Sequence, residues 1–255
     1  MTPTLDAPEI AEPLGPVAAR KCTVTLVVPT LNEIVGMRAI MPRVRREWVD
    51  QIIVLDGGST DGTVEWARDN DYEVHLQSEP GIRHAYMEVL PKVRGDVILT
   101  FSPDGNSIPE LLPRLVAKMD EGYDMVIASR YKPPAKSTDD DWVTAFGNWL
   151  FTRTVNLLHG GSYTDAMVIY RAYRTSLVRE LELDQDRWYR TPEWLFRTRV
   201  SWEPMLSARA ARRRLKVAEI AGDEPPRLGG ERKLRVLQWG AAYYFQFLRD
   251  FFLWR

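Results

Sequence analysis

Short apolar runs, each followed by a stretch of helical periodicity, constrain this chain more than any other feature. Residues 23–29 (TVTLVVP), 51–55 (QIIVL), 72–76, 96–101 (DVILTF) and 124–129 (DMVIAS) read as strands. Residues 32–49, 61–70, 82–93 and 108–121 between them read as helices. Most of the strand runs are apolar at successive rather than alternate positions, the pattern of strands covered on both faces. Strands alternating with helices at this spacing predict an α/β fold with a mostly parallel, twisted sheet flanked by helices. In such sheets ligands bind beyond the carboxyl ends of the strands. The polar loops 29–33, 56–61, 102–106 and 129–131 all lie there.

The second half changes character. Residues 132–141 (KPPAKSTDDD) form a long polar loop, 142–158 read as a helix, and 163–173 contain a strand or turn carrying Asp165. Residues 191–207 read as one helix, 214–221 as a strand, 222–233 (GDEPPRLGGERK) as a charged Pro/Gly loop, and 234–254 as a last helix rich in aromatics. Residues 1–21, with prolines at 3, 8, 13 and 16 and acids at 6, 9 and 12, lack the basic-then-apolar order of a secretory leader and read as a flexible tail.

Composition narrows the chemistry. A net charge of −1 argues against a nucleic-acid partner. A lone cysteine, Cys22, excludes an intramolecular disulfide and is compatible with a reducing compartment. With three scattered histidines and that cysteine, no ordinary zinc site can be assembled, so any metal must be a hard ion on oxygen ligands.

Four segments carry the chemistry: VVPTLNE (27–33), VLDGGSTDGT (54–63), FSPDGNSIPE (101–110) and SRY (129–131). Their order and spacing resemble the family-2 glycosyltransferases, whose nucleotide-sugar-binding fold is called GT-A. Within that family they are most similar to the dolichyl- and polyprenyl-phosphate sugar synthases. The resemblance implies a GT-A domain over residues 22–233, with an amphipathic helix at 234–255. It also implies donor contacts from Pro29, Leu31, Glu33, Asp56, Gly58, Ser102 and Arg130. The family's acidic metal motif falls on Ser102, Asp104 and Asn106, so serine stands where an acid is usual. Asp104 and Asn106 remain to hold Mg²⁺ or Mn²⁺ against the donor diphosphate. By residue chemistry alone, 56–62 also reads as a tight turn with Asp61 capping a helix, and 104–106 as an Asp-Gly turn.

The family carries an acid at the position of Asp165, which in many inverting members deprotonates an acceptor hydroxyl. A phosphate acceptor needs no such base, and Asp165 then orients groups, pairs with Arg171 or caps a helix. The lipid-phosphate synthases also place an arginine, a glycine and a lysine where Arg227, Gly230 and Lys233 stand here, implying cations for acceptor phosphate and donor diphosphate. On the terminal helix, Arg235, Gln238, Gln246, Arg249 and Asp250 share one stripe and aromatics cover the remainder. That face suits peripheral membrane contact, packing on the domain, or pairing with a second copy. The leading expectation is metal-assisted, inverting transfer of a sugar from a nucleotide diphosphate-sugar to a polyprenyl phosphate at the cytoplasmic membrane face. Two rivals remain: transfer to a soluble or glycan hydroxyl with Asp165 as base, and a silent nucleotide-sugar-binding protein, prompted by Ser102.

Overall fold

The computed structural model describes residues 20–229 and 236–254. Seven strands form one sheet: β1 (Val24–Thr30), β2 (Gln51–Asp56), β3 (Glu73–Leu76), β4 (Val97–Thr100), β5 (Met125–Ser129), β6 (Arg171–Arg174) and β7 (Val217–Ala221). Their order is β3-β2-β1-β4-β6-β5-β7. All pairings are parallel except those of β6, which runs antiparallel to both β4 and β5.

The helices are α1 (Ile34–Ile40), α2 (Thr63–Asp69), α3 (Ile82–Val89), α4 (Leu112–Asp120), α5 (Trp142–His159), α6 (Leu177–Glu180), α7 (Arg190–Phe196), α8 (Glu203–Arg212) and α9 (Val236–Leu253). They cover both faces of the sheet. Val24, Leu26 and Val28 of β1 pack with Met37 and Ile40 of α1 and with Leu112, Leu115 and Met119 of α4. Val27, between them in sequence, points the other way into a core with α3, α5, α8 and α9. Consecutive apolar residues therefore serve two cores, which is why these strands do not alternate.

Several expected helices are shorter than their periodicity suggested, and proline is the usual reason. The helix expected over 32–49 stops at Ile40. Pro42 sits in a separate 3₁₀ turn, Met41–Arg43, Val44 is extended, and a second 3₁₀ turn spans Arg46–Trp48. Likewise α3 yields at Pro91 to a 3₁₀ turn. The single helix expected over 191–207 is two: Arg197 turns left-handed at φ 48°, and Pro204 sits in the first turn of α8. Asp165 lies in the loop before β6, not on a strand.

The terminal helix packs between α5, α7 and α8. Part of its polar stripe faces inward: Gln246 and Asp250 are buried, and Asp250 accepts from Arg209 of α8 at 2.7 and 3.2 Å. Trp188 and Trp254 sandwich that guanidinium, with ring centres 4.7 and 4.8 Å away. A buried charge left alone is costly, so this pair anchors α9 to the domain in one orientation. Arg235 of the same stripe and residues 1–19 of the tail expected over 1–21 lie outside the described residues; Arg20 donates to the Trp48 carbonyl and to Asp50, and Lys21 N–H to Asp120, so these two are held against the domain.

Candidate active site

The loops after β1 and β2 are sewn together at the carboxyl edge of the sheet. Asp56 is fully buried. One of its oxygens accepts from the backbone N–H of Gly58 and Ser59 at 2.9 and 2.7 Å, the other from the Ser59 and Thr30 hydroxyls at 2.6 and 2.9 Å. The carboxylate thus shapes the turn, and Gly58 takes the left-handed conformation the turn requires (φ 96°). Asn32 donates its backbone N–H to the Ser59 hydroxyl and accepts from Thr60 N–H through its side chain, both at 2.8 Å. Asp61, expected to cap α2, stands one residue before the observed cap, Gly62; it accepts from the N–H and hydroxyl of Thr63 and also from Ile34 N–H at the start of α1. Hydrogen bonds to the charged form outweigh burial and hold its carboxyl below the ordinary range. Pro29, Leu31 and Glu33 lie along this edge, with Leu31 exposed to solvent and Glu33 half-buried.

The loop after β4 carries the expected metal residues. Ser102 is half-buried and Asp104 buried. Asp104 Oδ1 accepts from Asn106 N–H at 3.1 Å, and its Oδ2 meets the Arg227 guanidinium at 3.2 Å. Asn106 donates its side-chain amide to Asp139 at 3.1 Å, while its Oδ1 is buried without a hydrogen-bond partner among the described residues. Arg227 Nε also lies 3.6 Å from Asp139. The guanidinium therefore stands between two carboxylates and beside an orphaned carbonyl oxygen. A buried acceptor left unsatisfied has a lone pair free for an ion or a water. Asp104, Asn106 Oδ1 and Asp139 together form an oxygen set that fits a hard divalent cation. No group of three or more His, Cys, Asp or Glu residues suited to a metal occurs among the described residues, so this set includes an amide. α1 backs the loop tightly, for a Cβ on Gly36 would lie 2.3 Å from the Pro103 carbonyl oxygen.

A third cluster forms where the loops after β5 and β7 meet. Glu224 pairs with residues 136–138 in a short parallel bridge, accepting Thr138 N–H and donating to the Lys136 carbonyl. Arg130 crosses beneath it. Arg130 Nε and Nη2 grip Asp165 at 2.7 and 3.2 Å, and Nη1 reaches Glu224 at 3.2 Å. Asp165 is fully buried and also accepts from Asn148 of α5 and from the N–H groups of Met167 and Val168. Burial pushes its carboxyl up, but the charge and hydrogen bonds of Arg130 outweigh that and hold it below the ordinary range. Glu224 ends on the other side of the balance: burial raises its carboxyl more than Arg130 lowers it. The expected partner of Asp165, Arg171, instead donates to the carbonyls of Ala166, Val168 and Glu203 and to the Ser207 hydroxyl.

The structure thus gathers Asp104, Asn106 and Arg227 in one cluster and Arg130 with Asp165 in another, while Lys233 and Gly230 lie outside the described residues. Sequence reasoning missed Asp139, Glu224 and Asn148. The run of three acids before α5 was the available signal, and it divides its labour. Asp139 joins Asn106, Asp140 accepts the Tyr131 hydroxyl, and Asp141 caps α5 by accepting Thr144 N–H at 2.7 Å.

Residues 25–182, more than half the chain, match the family described as Glycosyl transferase family 2. The chain belongs to glycosyltransferase family 2. Among curated relatives of this family-2 chain, the undecaprenyl-phosphate mannosyltransferase of Micrococcus luteus is 31% identical over 173 residues, covering 63% of this chain and 70% of that one. Glycosyltransferase AglJ of Haloferax volcanii is 29% identical over 167 residues, 64% of this chain and 54% of that one. An undecaprenyl-phosphate 4-deoxy-4-formamido-L-arabinose transferase of Aeromonas hydrophila is 29% identical over 177 residues, 64% and 52%. This chain spans about half the length of the last two. In fold it is similar to glucosyl-3-phosphoglycerate synthase of Mycobacterium tuberculosis, solved with Mn²⁺, uridine diphosphate and glucosyl-3-phosphoglycerate. The TM-score is 0.59 at 20% identity, over 91% of this chain and 80% of that one. That likeness places the fold among the GT-A glycosyltransferases.

Proposed function

We propose that this family-2 chain transfers a sugar, with inversion, from a nucleotide diphosphate-sugar to a polyprenyl phosphate. An acceptor phosphate oxygen attacks the anomeric carbon, the bond to the donor diphosphate breaks, and nucleoside diphosphate leaves. The observation that carries the acceptor class is the state of Asp165. Gripped by Arg130, fully buried and held ionised, it is a poor proton acceptor, and a hydroxyl acceptor would have no base there. A phosphate is already ionised and needs none. The curated relatives named for transfer to undecaprenyl phosphate support the same class.

Asp104, Asn106 and Asp139 are the residues that would hold a divalent ion, Mg²⁺ or Mn²⁺. When bound, it would supply Lewis-acid stabilisation of the leaving diphosphate. The retained ligand set argues against the silent-protein reading that Ser102 prompted. Arg227 bridges Asp104 and Asp139 and stands ready to meet phosphate charge in their place. The donor edge is the pair of stitched loops from Pro29 to Glu33 and from Asp56 to Thr63. No helix among the described residues is long and apolar enough to cross a membrane, and we infer that a lipid acceptor reaches the site over the surface of the domain. We place that surface at the cytoplasmic face.

The test is transfer to a prenyl phosphate from a panel of UDP-, GDP- and dTDP-sugars, with and without Mn²⁺, read by mass spectrometry of the lipid product. Asp104→Ala should abolish metal-dependent donor binding and turnover while the protein stays folded. Arg227→Ala removes a charge-assisted phosphate contact, about 1.5–3 kcal/mol or a ten- to hundredfold loss of transfer. Full activity of Asp104→Ala, or undiminished transfer in excess chelator, would remove the metal assignment. Transfer to hydroxyl acceptors alone would remove the phosphate-acceptor reading.

A further inference from the structure

α5 buries only part of its circumference. Asn148, Thr152, Val155 and His159 face inward, and Phe151 and Thr154 meet α9. On the remaining face Trp142, Phe146, Trp149 and Leu157 stand at i, i+4, i+7 and i+15, with exposures of 81, 56, 52 and 84%. The Phe146 and Trp149 rings stack 5.7 Å apart, and the exposed Arg153 guanidinium lies 5.8 Å from the Trp149 ring. The face is continued sideways by α9. The two helices run parallel, since Phe151 meets Gly240 and Tyr244 while His159 meets Phe251 further along. The outward residues of α9 beside this face include Leu248 and Phe252, both exposed.

Folded domains seldom leave so much contiguous aromatic surface to water without a partner for it. Charge selects the partner. Between Trp142 and His159 the helix carries Arg153 and no carboxylate. Arg153 makes no ion pair among the described residues. The same face of a second copy carries only the same arginine between Trp142 and His159, so that helix offers Arg153 no carboxylate. An anionic lipid surface offers a counter-charge, and tryptophan beside arginine suits the headgroup layer. The same helix lines the site from its other side: Asp141 caps it, and Asn148 donates to Asp165 at 3.3 Å.

We propose that the outward face of α5, with the adjoining stripe of α9, rests on an anionic phospholipid bilayer and sets the depth at which a lipid-borne phosphate meets the active site. This extends the lipid-acceptor reading. The terminal helix, for which membrane contact was one of three expectations, contributes only its outer edge. The test is flotation of the full chain with phosphatidylcholine vesicles, with and without phosphatidylglycerol, comparing wild type with Trp142→Ser/Phe146→Ser/Trp149→Ser and with Arg153→Glu. All four side chains are exposed and lie outside the catalytic clusters. Wild type should float with the anionic vesicles. The triple variant should lose roughly tenfold or more of that binding, and Arg153→Glu a smaller part. The triple variant should keep transfer to a short, water-soluble prenyl phosphate and lose transfer to a long-chain acceptor embedded in vesicles. Absence of flotation in wild type, equal flotation of the triple variant, or a dimer that the triple variant dissolves would overturn the proposal. If docking behaves as expected but no prenyl phosphate accepts sugar, the docking face stands and the acceptor reading falls.

Discussion

Asp165→Asn separates a structural carboxylate from a catalytic one. The change preserves side-chain shape but removes the charge that Arg130 grips through two contacts, and it sets an amide NH₂ among groups that now only donate to Asp165. Removing one partner of a buried ion pair costs about 3–5 kcal/mol. Arg130 keeps Glu224 at 3.2 Å, so the low end, about 3 kcal/mol, applies. For a chain of this size that corresponds to a fall of about 6–12 °C in melting temperature. Calorimetry without donor reads that fall, and single-turnover transfer well below both transitions reads the chemistry, which should drop only modestly. Replacing Arg130 as well, by Met, should not restore the stability, because buried Glu224 then loses the cation it holds at 3.2 Å. The pH dependence has a definite sign. The folded carboxyl lies below its ordinary 3.8, so its stabilisation is full above that value and is lost as pH falls through the lower folded value; the Asn variant should lack this acid limb. An unchanged melting temperature with transfer reduced about 10²–10⁴-fold would refute the reasoning and return Asp165 to the role of general base.

Gly36→Ala would drive a methyl group into the Pro103 carbonyl, which is backbone and cannot rotate away. It should cost about 1–3 kcal/mol and weaken Mn²⁺-dependent donor binding by displacing the Asp104 loop; thermal shift with Mn²⁺ titration checks both, and no change in either counts against the packing argument. Glu88 is raised by burial but drawn down further, to about 2 from 4.5, by the Ser78 hydroxyl and the N–H groups of Ser78 and Glu79. Its stabilisation should therefore be full above 4.5 and disappear as pH falls towards about 2. Glu88→Gln should flatten the urea midpoint across that window, and an unchanged slope would place the acid sensitivity elsewhere.

The strands were legible because burial on both faces leaves a local trace, apolar residues at consecutive positions, and four of the expected loops duly lie at one edge of the sheet. The breaks at Pro42, Pro91 and Pro204 were legible too, had proline been weighed above apolar periodicity, since the missing N–H and the ring act within one turn. Asp104 and Asn106 share a loop whose spacing alone brings them together. Which charges meet across the site is another matter. Arg130 is 35 residues from Asp165 and 94 from Glu224, and Asn106 is 33 from Asp139; only the way the loops after β4, β5 and β7 and the loop before β6 come together decides those pairs. The two aromatic helices make the same point. α5 and α9 are apolar around most of their circumference, so periodicity names no inward face. The Arg209–Asp250 pair turns part of the polar stripe of α9 into the core, and α5 is left showing tryptophan to the outside. Sequence by itself determined the elements and the edge at which a ligand binds, because those depend on near neighbours along the chain. Tertiary structure alone decided which carboxylates are neutralised and which apolar face remains uncovered, because both depend on groups that the chain brings together only by folding.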